Sequence, residues 1–256
     1  MVLGVGGLGS WAAPLLRSGC DPATTKIGMV DGDQEVEVHN LNRQVLYDSD
    51  DLGLAKASAA ASRLSIRFEM ESGSVVGIPT PLGAHHVNDG SVEVVEGDIS
   101  LQEIIGESEY DEHIEESLGS MHIALSCLDN QNARTLLNRA CLDRGVLMVN
   151  GGGEGTRGVI EHFGDGLCMV CRYGPQEAYA TERVSCQEEG VRPVSSIVTT
   201  TAYVGAMQAA TALCLLAVQR GHCEEVPEAR DWSNGTVSLR GRGKLPWMEG
   251  DCGGHL

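Results

Sequence analysis

The sequence predicts an α/β fold in which a mixed, mainly parallel sheet carries helices on both faces. Three observations support this prediction. A glycine-rich turn from Gly4 to Gly9 separates a short apolar start from a helical pattern, as in nucleotide-binding βα units. Strand-like and helical patterns then alternate along the chain. Finally, 256 residues with 42% hydrophobic content are enough for one large domain. The predicted architecture is therefore Rossmann-like.

The first βα unit has the features of a nucleotide-binding turn. Its glycines follow the spacing G-x-G-x-x-G and are Gly4, Gly6, Gly7 and Gly9. Such glycines let the backbone approach a phosphate or ribose at a positively polarised helix start. Tight turns between strands and helices also use glycine, so the motif alone is weak. The next predicted strand ends at Asp31, where a carboxylate is placed to bind ribose hydroxyls.

A polar segment after Asp31 indicates a ligand with more charge than a dinucleotide. It contains the amides of Asn40 and Asn42, and the cations Arg43 and Lys56 follow in the same region. Two cations with two amides suit a triphosphate. The alternative is that both cations are solvated surface charges. Their order behind a glycine turn and an acidic strand end favours the triphosphate.

Later segments continue the α/β alternation. We expect a strand over 121–126, a helix over 131–144 and a strand over 146–149. A loop over 150–153 would then lie near the nucleotide edge. Residues 195–219 are apolar on nearly all sides, which is typical of a buried helix.

The composition of the chain limits the classes of molecule that it can bind. The net charge of −18 disfavours non-specific binding to nucleic acid or acidic lipid. We see no run of about 18 apolar residues that would predict a membrane span, so we expect a cytoplasmic protein.

The nine cysteines are odd in number, which favours metal or catalytic thiols over disulfides. Three of them, Cys127, Cys141 and Cys214, lie in apolar segments and are expected to be buried.

Several ordered motifs make the sequence resemble the ThiF/MoeB/HesA family, whose fold is shared with ubiquitin-activating enzymes. The matching segments are residues 4–10, Asp31-Gly-Asp33, Asn40-Leu-Asn-Arg-Gln44, residues 51–56, Cys127-Leu-Asp129-Asn130 with Arg134, and Cys168-Met-Val-Cys171. The resemblance implies that ATP adenylates a carboxylate. The substrate would be the C-terminal glycine of a ubiquitin-like or sulfur-carrier protein ending in Gly-Gly, with a conjugating enzyme as a further partner.

The resemblance also implies roles for particular residues. Asp31 would hold the ribose, and Asn40, Arg43 and Lys56 would contact phosphates. Asp129 would bind Mg²⁺, which offsets charge on the leaving pyrophosphate. The remaining nucleotide contacts would come from other residues of the same motifs, namely Asp33, Asn42, Gln44 and Asn130.

The cysteines of the second half predict a structural zinc site and a reactive thiol. Cys168 and Cys171 have the C-x₂-C spacing of half a zinc site. The family completes the site near the C-terminus, where Cys252 and His255 keep that spacing; the alternative is that these two lie in a frayed terminus. Cys186 occupies the crossover where some family members form a thioester or persulfide, and other members do not use their cysteine there.

The predicted organisation is a single adenylation domain over residues 1–256. It has an acidic insertion around 69–118, a crossover loop around 172–194 and a zinc-bound C-terminal tail, and we expect a homodimer. In the family, a segment before the first strand supplies an arginine to ATP. The sequence begins at Met1, so we expect weak ATP binding from this chain alone.

Three alternatives stay open at this stage. One is a non-catalytic scaffold that binds a ubiquitin-like partner. Another is a nicotinamide-dependent oxidoreductase, in which Arg43, Lys56 and Asp129 would have no role. The third lies within the family: a tRNA threonylcarbamoyladenosine dehydratase, which the zinc pattern fits less well.

Overall fold

The structure is a computed structural model that describes residues 1–21, 23–70, 74–79, 122–164, 168–174, 197–222, 229–233 and 236–240. An eight-stranded sheet forms its centre, in the order β3-β2-β1-β4-β5-β6-β7-β8. The strands are β1 (Val2–Leu3), β2 (Ile27–Val30), β3 (Val75–Ile78), β4 (Ile123–Ser126), β5 (Leu147–Glu154), β6 (Arg157–Phe163), β7 (Ala229–Ser233) and β8 (Thr236–Arg240). The helices are α1 (Gly9–Ser18), α2 (Lys56–Arg67), α3 (Gln131–Asp143), α4 (Met169–Tyr173) and α5 (Val198–Gln219).

The sheet has a parallel half and an antiparallel half. Strands β3, β2, β1, β4 and β5 pair in parallel, and β5, β6, β7 and β8 pair as antiparallel neighbours. In the parallel half the chain crosses over between β1 and β4, which are sheet neighbours although β2 and β3 come between them in sequence. Ligands of doubly wound sheets bind at such a switch point, outside the carboxyl ends of the strands. The mixed, mainly parallel sheet agrees with the prediction.

Each face of the sheet is covered by a separate core, so the predicted helices on both faces are confirmed. Alternate strand residues divide between the two cores, as the two-residue side-chain period requires. One face packs α1, α2 and α5 on Val2, Met29, Leu125 and Val149. The other packs α3 and Met169 of α4 on a second set of strand residues, Leu3, Val30, Ala124, Met148 and Phe163.

The long helix α5 is more exposed than predicted. Only the stripe toward α1 and the sheet is buried, and it contains residues such as Thr201, Val204 and Gln208. Cys214 lies on the outer stripe and is exposed, so its predicted burial is wrong. The close approach of α1 and α5 depends on Gly205, where an added Cβ would lie 2.5 Å from the Leu8 carbonyl oxygen.

The same helix corrects the prediction about apolar runs. Val198–Gln219 has 22 residues and a mean hydropathy of 1.6 in its most apolar window, which by length and composition also suits a membrane span. In this fold the helix packs on the sheet beside α1, as core helices of globular proteins do.

Another correction concerns residues 150–153, which were predicted as a loop. They lie inside β5, where Asn150 to Gly153 pair with β6 in a regular antiparallel ladder. The glycines are needed there because helix α5 lies against the strand. A Cβ at Gly151 would lie 2.2 Å from the side chain of Gln208. Most of the predicted acidic insertion, most of the crossover loop and the whole C-terminal tail lie outside the described residues.

Candidate nucleotide site

The glycine turn is built so that its backbone packs on two neighbouring strands. The N–H of Gly4 donates to the carbonyl oxygen of Val30 at 2.7 Å. Gly4 has a φ of +86°, and a Cβ there would lie 2.6 Å from the Cys127 carbonyl oxygen. A Cβ at Gly9 would lie 2.0 Å from the carbonyl oxygen of Gly4. Gly4 and Gly9 are therefore structural, because no other residue fits either position.

The two middle glycines are placed differently. Gly6 and Gly7 are half-buried, whereas Gly4 and Gly9 are buried. The nearest atom to a Cβ added at Gly6 is Nε2 of Gln44, at 3.7 Å. A Cβ added at Gly7 would lie 3.2 Å from Cγ2 of Thr201. The turn at Gly6 is thus backbone that a ligand can approach, next to the first turn of α1. A helix start of this kind favours negative charge.

Asp31 connects the end of β2 to the glycine turn. Its Oδ2 accepts from the N–H of Val5 at 2.7 Å, and its Oδ1 accepts from the N–H of Asp33 at 2.9 Å. Burial raises the pKa of this carboxyl above its ordinary value, although both backbone hydrogen bonds act in the opposite direction. Each carboxylate oxygen can accept a further hydrogen bond, so Asp31 retains the capacity to bind a hydroxyl group.

Lys56 is a buried cation at the first position of α2. Its side chain is 8% exposed and forms an ion pair with Asp33. Its backbone N–H also donates to the Asp33 carbonyl oxygen at 3.1 Å. Buried Tyr47 joins the two halves of the site, because its hydroxyl lies 2.9 Å from the carbonyl oxygen of Val5 and 3.2 Å from that of Lys56. The ammonium group of Lys56 is therefore tied to the strand end that carries Asp31.

The polar cluster from Asn40 to Gln44 lies beside the glycine turn. Arg43 Nη1 donates to the carbonyl oxygen of His39 at 2.9 Å and to Oδ1 of Asn42 at 3.1 Å. A Cβ at Gly7 would lie 4.0 Å from Arg43 Nε, so the guanidinium lies against the turn.

Asn40 and Gln44 are the buried members of this cluster. Oδ1 of Asn40 accepts from the N–H of Glu37 at 3.1 Å, which fixes the local turn. Oε1 of Gln44 is buried without a hydrogen-bond partner. Asn40 thus has a structural contact here, and Gln44 supports the turn through the amide nitrogen that faces Gly6.

Asp129 lies in the turn after β4 and combines a held backbone with an exposed carboxylate. Its side chain is exposed, and its contact in the structure is with Nδ2 of Asn130 at 3.4 Å. Asn130 caps α3, because its Oδ1 accepts from the N–H of Ala133 at 2.7 Å. An exposed carboxylate with free acceptor capacity is suited to a hard cation such as Mg²⁺, which prefers oxygen ligands.

The predicted nucleotide residues therefore meet at one edge of the sheet. β1, β2 and β4 are parallel neighbours, so the residues that follow them lie side by side, namely Gly4, Asp31 and Asp129. The ion pair of Lys56 with Asp33 and the place of Arg43 beside Gly7 add two cations to this edge. Cys186, the predicted thiol, lies outside the described residues.

The predicted zinc pair begins helix α4. Cys168 and Cys171 are both buried, and neither forms a disulfide in the described part of the chain. The N–H of Cys171 lies 3.3 Å from the sulfur of Cys168, as the C-x₂-C turn requires. The described residues hold no group of three or more His, Cys, Asp or Glu side chains that could bind a metal. The other two predicted ligands, Cys252 and His255, are not among those residues.

Two more cysteines are buried as predicted. Burial raises the pKa of Cys127 and of Cys141 to about 12 in each case. A thiol with such a pKa is protonated at neutral pH and is a poor nucleophile. Cys127 and Cys141 are therefore packing residues.

A buried polar group next to the predicted zinc pair was not predicted from the sequence. Glu161 is 3% exposed and forms an ion pair with Arg172 at 3.0 Å and a short hydrogen bond with the Tyr173 hydroxyl. Its register partner in β5 is Asn150, and the partner of Asn150 in β4 is Ser126. A glutamate between the preceding apolar residues of β6 and Phe163 was a signal for such a group, but its partners come from a separate helix.

Comparisons with known proteins agree with this arrangement. The ThiF family model matches residues 1–233. The adenylyltransferase and sulfurtransferase UBA4 of Candida albicans is 30% identical over 195 residues, which cover 75% of this chain and 36% of UBA4. The adenylyltransferase and sulfurtransferase MOCS3 of Drosophila ananassae is 28% identical over 220 residues, covering 83% of this chain and 39% of MOCS3. The chain thus spans little more than a third of the length of these relatives.

Solved structures show the same fold at lower identity. E. coli MccB with ATP has a TM-score of 0.62 at 18% identity, and the match covers 96% of this chain and 63% of MccB. PaaA has a TM-score of 0.58 and covers 93% of this chain and 61% of PaaA. The family match extends over most of the sequence, including the glycine turn and the Asp129 turn. The chain belongs to the ThiF family.

Proposed function

We propose that this protein uses ATP to adenylate the C-terminal glycine of a ubiquitin-like or sulfur-carrier protein ending in Gly-Gly. The observation that carries this proposal is the meeting of a glycine turn, two cations and the exposed carboxylate of Asp129 at one sheet edge. Similarity to the adenylyltransferases and sulfurtransferases UBA4 and MOCS3 supports it.

The proposed position of ATP follows from the charges at this edge. The ribose lies at Asp31, whose carboxylate can accept from a hydroxyl. The triphosphate runs past the backbone of Gly6 and Gly7 toward Arg43 and Lys56, which neutralise its charge. Further nucleotide contacts are proposed for members of the same motifs, namely Asp33, Asn40, Asn42, Gln44 and Asn130.

The proposed reaction is a displacement at the α-phosphorus. A carboxylate oxygen of the carrier's terminal glycine attacks the α-phosphate of ATP, and the bond from that phosphorus to the bridging oxygen of the β-phosphate breaks. Pyrophosphate leaves, and the carrier holds AMP in an acyl-phosphate anhydride. The protein contributes position and charge stabilisation. Arg43 and Lys56 offset the charge that builds on the departing pyrophosphate.

Mg²⁺ is proposed as the bound metal at Asp129, where an exposed carboxylate with free acceptor capacity fits its preference for oxygen ligands. When bound, the ion would neutralise phosphate charge. Asn130 orders the adjoining helix start and so helps to set where Asp129 projects.

Zinc is proposed at Cys168, Cys171, Cys252 and His255, and the buried C-x₂-C turn supports one half of that site. Metal analysis of the purified protein should give close to one zinc per chain. Removal of the last five residues should lower both the zinc content and the melting temperature. A metal-free protein of undiminished stability would contradict this assignment.

A second chemical step is proposed at Cys186. Its thiolate would attack the carbonyl carbon of the carrier adenylate, releasing AMP and leaving a thioester. In sulfur transfer, Cys186 would first receive the outer sulfur of a donor persulfide, whose own thiol is released. The outer sulfur of the resulting Cys186 persulfide would then attack the same carbonyl carbon, releasing AMP and leaving an acyl disulfide. Cys127 and Cys141 cannot substitute, because burial keeps both protonated. A thiol-sensitive, carrier-sized shift on a non-reducing gel should disappear in Cys186→Ala, whereas pyrophosphate exchange should persist. A shift that survives the substitution would assign the step to another cysteine.

We also propose a cytoplasmic homodimer. The support is the partly exposed apolar surface of α5. Tyr203, Met207 and Leu213 pack against the core but are only partly buried, and Ile197 and Val198 at the helix start are exposed. An exposed apolar helix surface is typical of a face covered by another subunit.

A conjugating enzyme is proposed as a later partner. A non-catalytic scaffold and a nicotinamide-dependent oxidoreductase remain the alternatives.

The test of adenylation is ATP–pyrophosphate exchange in the presence of a carrier protein. Exchange should vanish in Asp129→Ala and fall by about 100-fold or more in Arg43→Ala, the loss typical of removing one charge-stabilising donor. Lys26→Ala is the matched control, because Lys26 is exposed and distant in sequence from the glycine turn. Wild-type rates in Asp129→Ala and Arg43→Ala would exclude the assigned site. An active oxidoreductase would instead change the absorbance of a nicotinamide.

A further inference from the structure

The turn that carries Asp129 is held from the α3 side by Arg134. Nε and Nη2 of Arg134 donate to the carbonyl oxygen of Leu128, at 2.9 and 2.5 Å. A Cβ at Gly152 would lie 3.0 Å from Nη1 of the same guanidinium, so β5 confines the side chain on another side. Arg134 therefore uses two donors on the residue immediately before Asp129.

The same turn is held from the opposite face of the sheet by Gln208. Gln208 is fully buried in α5. Its Nε2 donates to the carbonyl oxygens of Ser126 at 2.8 Å and Val149 at 3.3 Å. Its Oε1 lies 3.4 Å from the sulfur of Cys127. One side chain thus joins the last residue of β4 to the first half of β5.

The two contacts complement one another. They fix the carbonyl groups of Ser126 and Leu128, and the carbonyl group of Cys127 between them lies against Gly4. Two carbonyl groups before Asp129 are therefore held by hydrogen bonds from opposite faces of the sheet, and the one between them packs against Gly4. The Asp129 carboxylate itself is exposed. Rigid support beneath a free functional group is the arrangement that preorganised sites require.

We propose that Arg134 and Gln208 are positioning residues that together hold the Asp129 turn in the geometry needed for cation binding at the nucleotide site. The inference rests on the proposed function for the role of Asp129. Neither side chain contacts a reacting atom; both act through backbone carbonyl groups. Because the two act on one short turn from opposite faces of the sheet, their effects on its geometry should be coupled.

The first experiment measures the turn without reference to activity. Arg134→Met and Gln208→Met keep the approximate length of each side chain and remove its donors. Hydrogen exchange followed by mass spectrometry should show faster exchange in peptides covering 127–131 in both variants, with protection of β2 unchanged. Asn138→Leu is the control, because Asn138 is buried on α3 and accepts from the distant Met169 N–H. Unchanged exchange at 127–131, or a uniform increase throughout the sheet, would overturn the inference.

The second experiment separates positioning from a loss of folded protein. In ATP–pyrophosphate exchange, the Mg²⁺ concentration for half-maximal rate should rise at least tenfold in Arg134→Met and in Gln208→Met, and Arg134→Lys should recover part of the loss. Asn138→Leu should leave that concentration unchanged, because lower stability reduces the active fraction but not its affinity for the cation. An unchanged Mg²⁺ requirement in both Met variants would overturn the positioning role. If wild type shows no exchange, the proposed function fails, and hydrogen exchange still decides whether the turn is held.

Discussion

At the scale of single residues, the raised pKa of Asp31 predicts how the Kd for ATP depends on pH. Burial raises the pKa of this carboxyl, and the ionised form is the one that can accept from ribose. As pH falls from 7, Asp31 should therefore become protonated at a higher pH than an ordinary aspartate, and the Kd for ATP should rise. Calorimetric titration of ATP across this range measures the effect. Asp31→Asn should bind more weakly at neutral pH, and the additional weakening at acidic pH should be absent.

The contribution of Asp31 to folding stability should depend on pH in the opposite direction to ATP affinity. A pKa that is raised in the folded state means that folding favours the protonated carboxyl, so its contribution is present at low pH and is lost as pH rises through the raised pKa. ATP affinity and this part of the unfolding free energy should thus change in opposite directions. Identical pH profiles for ATP binding in wild type and Asp31→Asn would contradict the assignment of the ribose to Asp31.

Some residue roles could be predicted from the sequence and others could not. The acid after β2 and the glycines before α1 are identified by spacing, because a single strand–turn–helix unit determines their position. Gln208 was missed because its partners lie 82 and 59 residues away along the chain, in other strands. Glu161 was missed because its partners Arg172 and Tyr173 belong to a separate helix, although they lie only 11 and 12 residues away. Cys214 was wrongly expected to be buried, because an apolar sequence does not reveal which side of α5 faces the sheet.

At the scale of elements, the glycine turn offers a test that separates fold from binding. In Gly9→Ala the new Cβ would meet the carbonyl oxygen of Gly4 at 2.0 Å, so the unfolding free energy should fall by about 2 to 3 kcal/mol, as for other overpacked sites. In Gly6→Ala the nearest atom is 3.7 Å away, which is an ordinary contact. That variant should keep its stability to within about 0.5 kcal/mol.

For ATP affinity, measured per mole of folded protein, Gly6→Ala should have the larger effect and Gly9→Ala the smaller. A methyl group at Gly6 occupies the space where the proposed phosphate approaches the backbone, so the Kd for ATP should rise at least tenfold while urea unfolding stays nearly unchanged. Urea denaturation and calorimetry on the same samples measure both quantities. A stable Gly6→Ala protein with wild-type ATP affinity would place the phosphates elsewhere.

The order of the elements was predictable, but some boundaries were not. The alternation of strands and helices in the first half follows from local periodicity. Residues 150–153 were expected to form a loop because of their glycines, yet they continue β5. Those glycines serve the close packing of α5 and the side chain of Arg134 against the strand. A glycine run therefore has two local interpretations, and tertiary packing decides between them.

At the scale of the whole molecule, the two halves of the sheet carry different groups of polar residues. The parallel half holds the glycine turn, Asp31 and Asp129 at its carboxyl edge. The antiparallel half carries Glu161, whose partners Arg172 and Tyr173 lie next to the predicted zinc pair. That the motifs of the parallel half lie together could be predicted, because each motif is local and follows a strand of that half. The arrangement of the antiparallel half depends on contacts between a strand and a separate helix, which periodicity does not encode.

The most direct test of adenylation follows the oxygen of the acceptor carboxylate. A ubiquitin-like carrier ending in Gly-Gly is labelled with ¹⁸O at its terminal carboxylate and incubated with ATP, Mg²⁺ and the protein. The carrier adenylate is then cleaved by hydroxylamine, which attacks the carbonyl carbon, and the released nucleotide is analysed by mass spectrometry. The account predicts AMP that carries one ¹⁸O from the carboxylate. Label in inorganic phosphate together with ADP, or no transfer of label to any phosphate with carriers of this class, would contradict it.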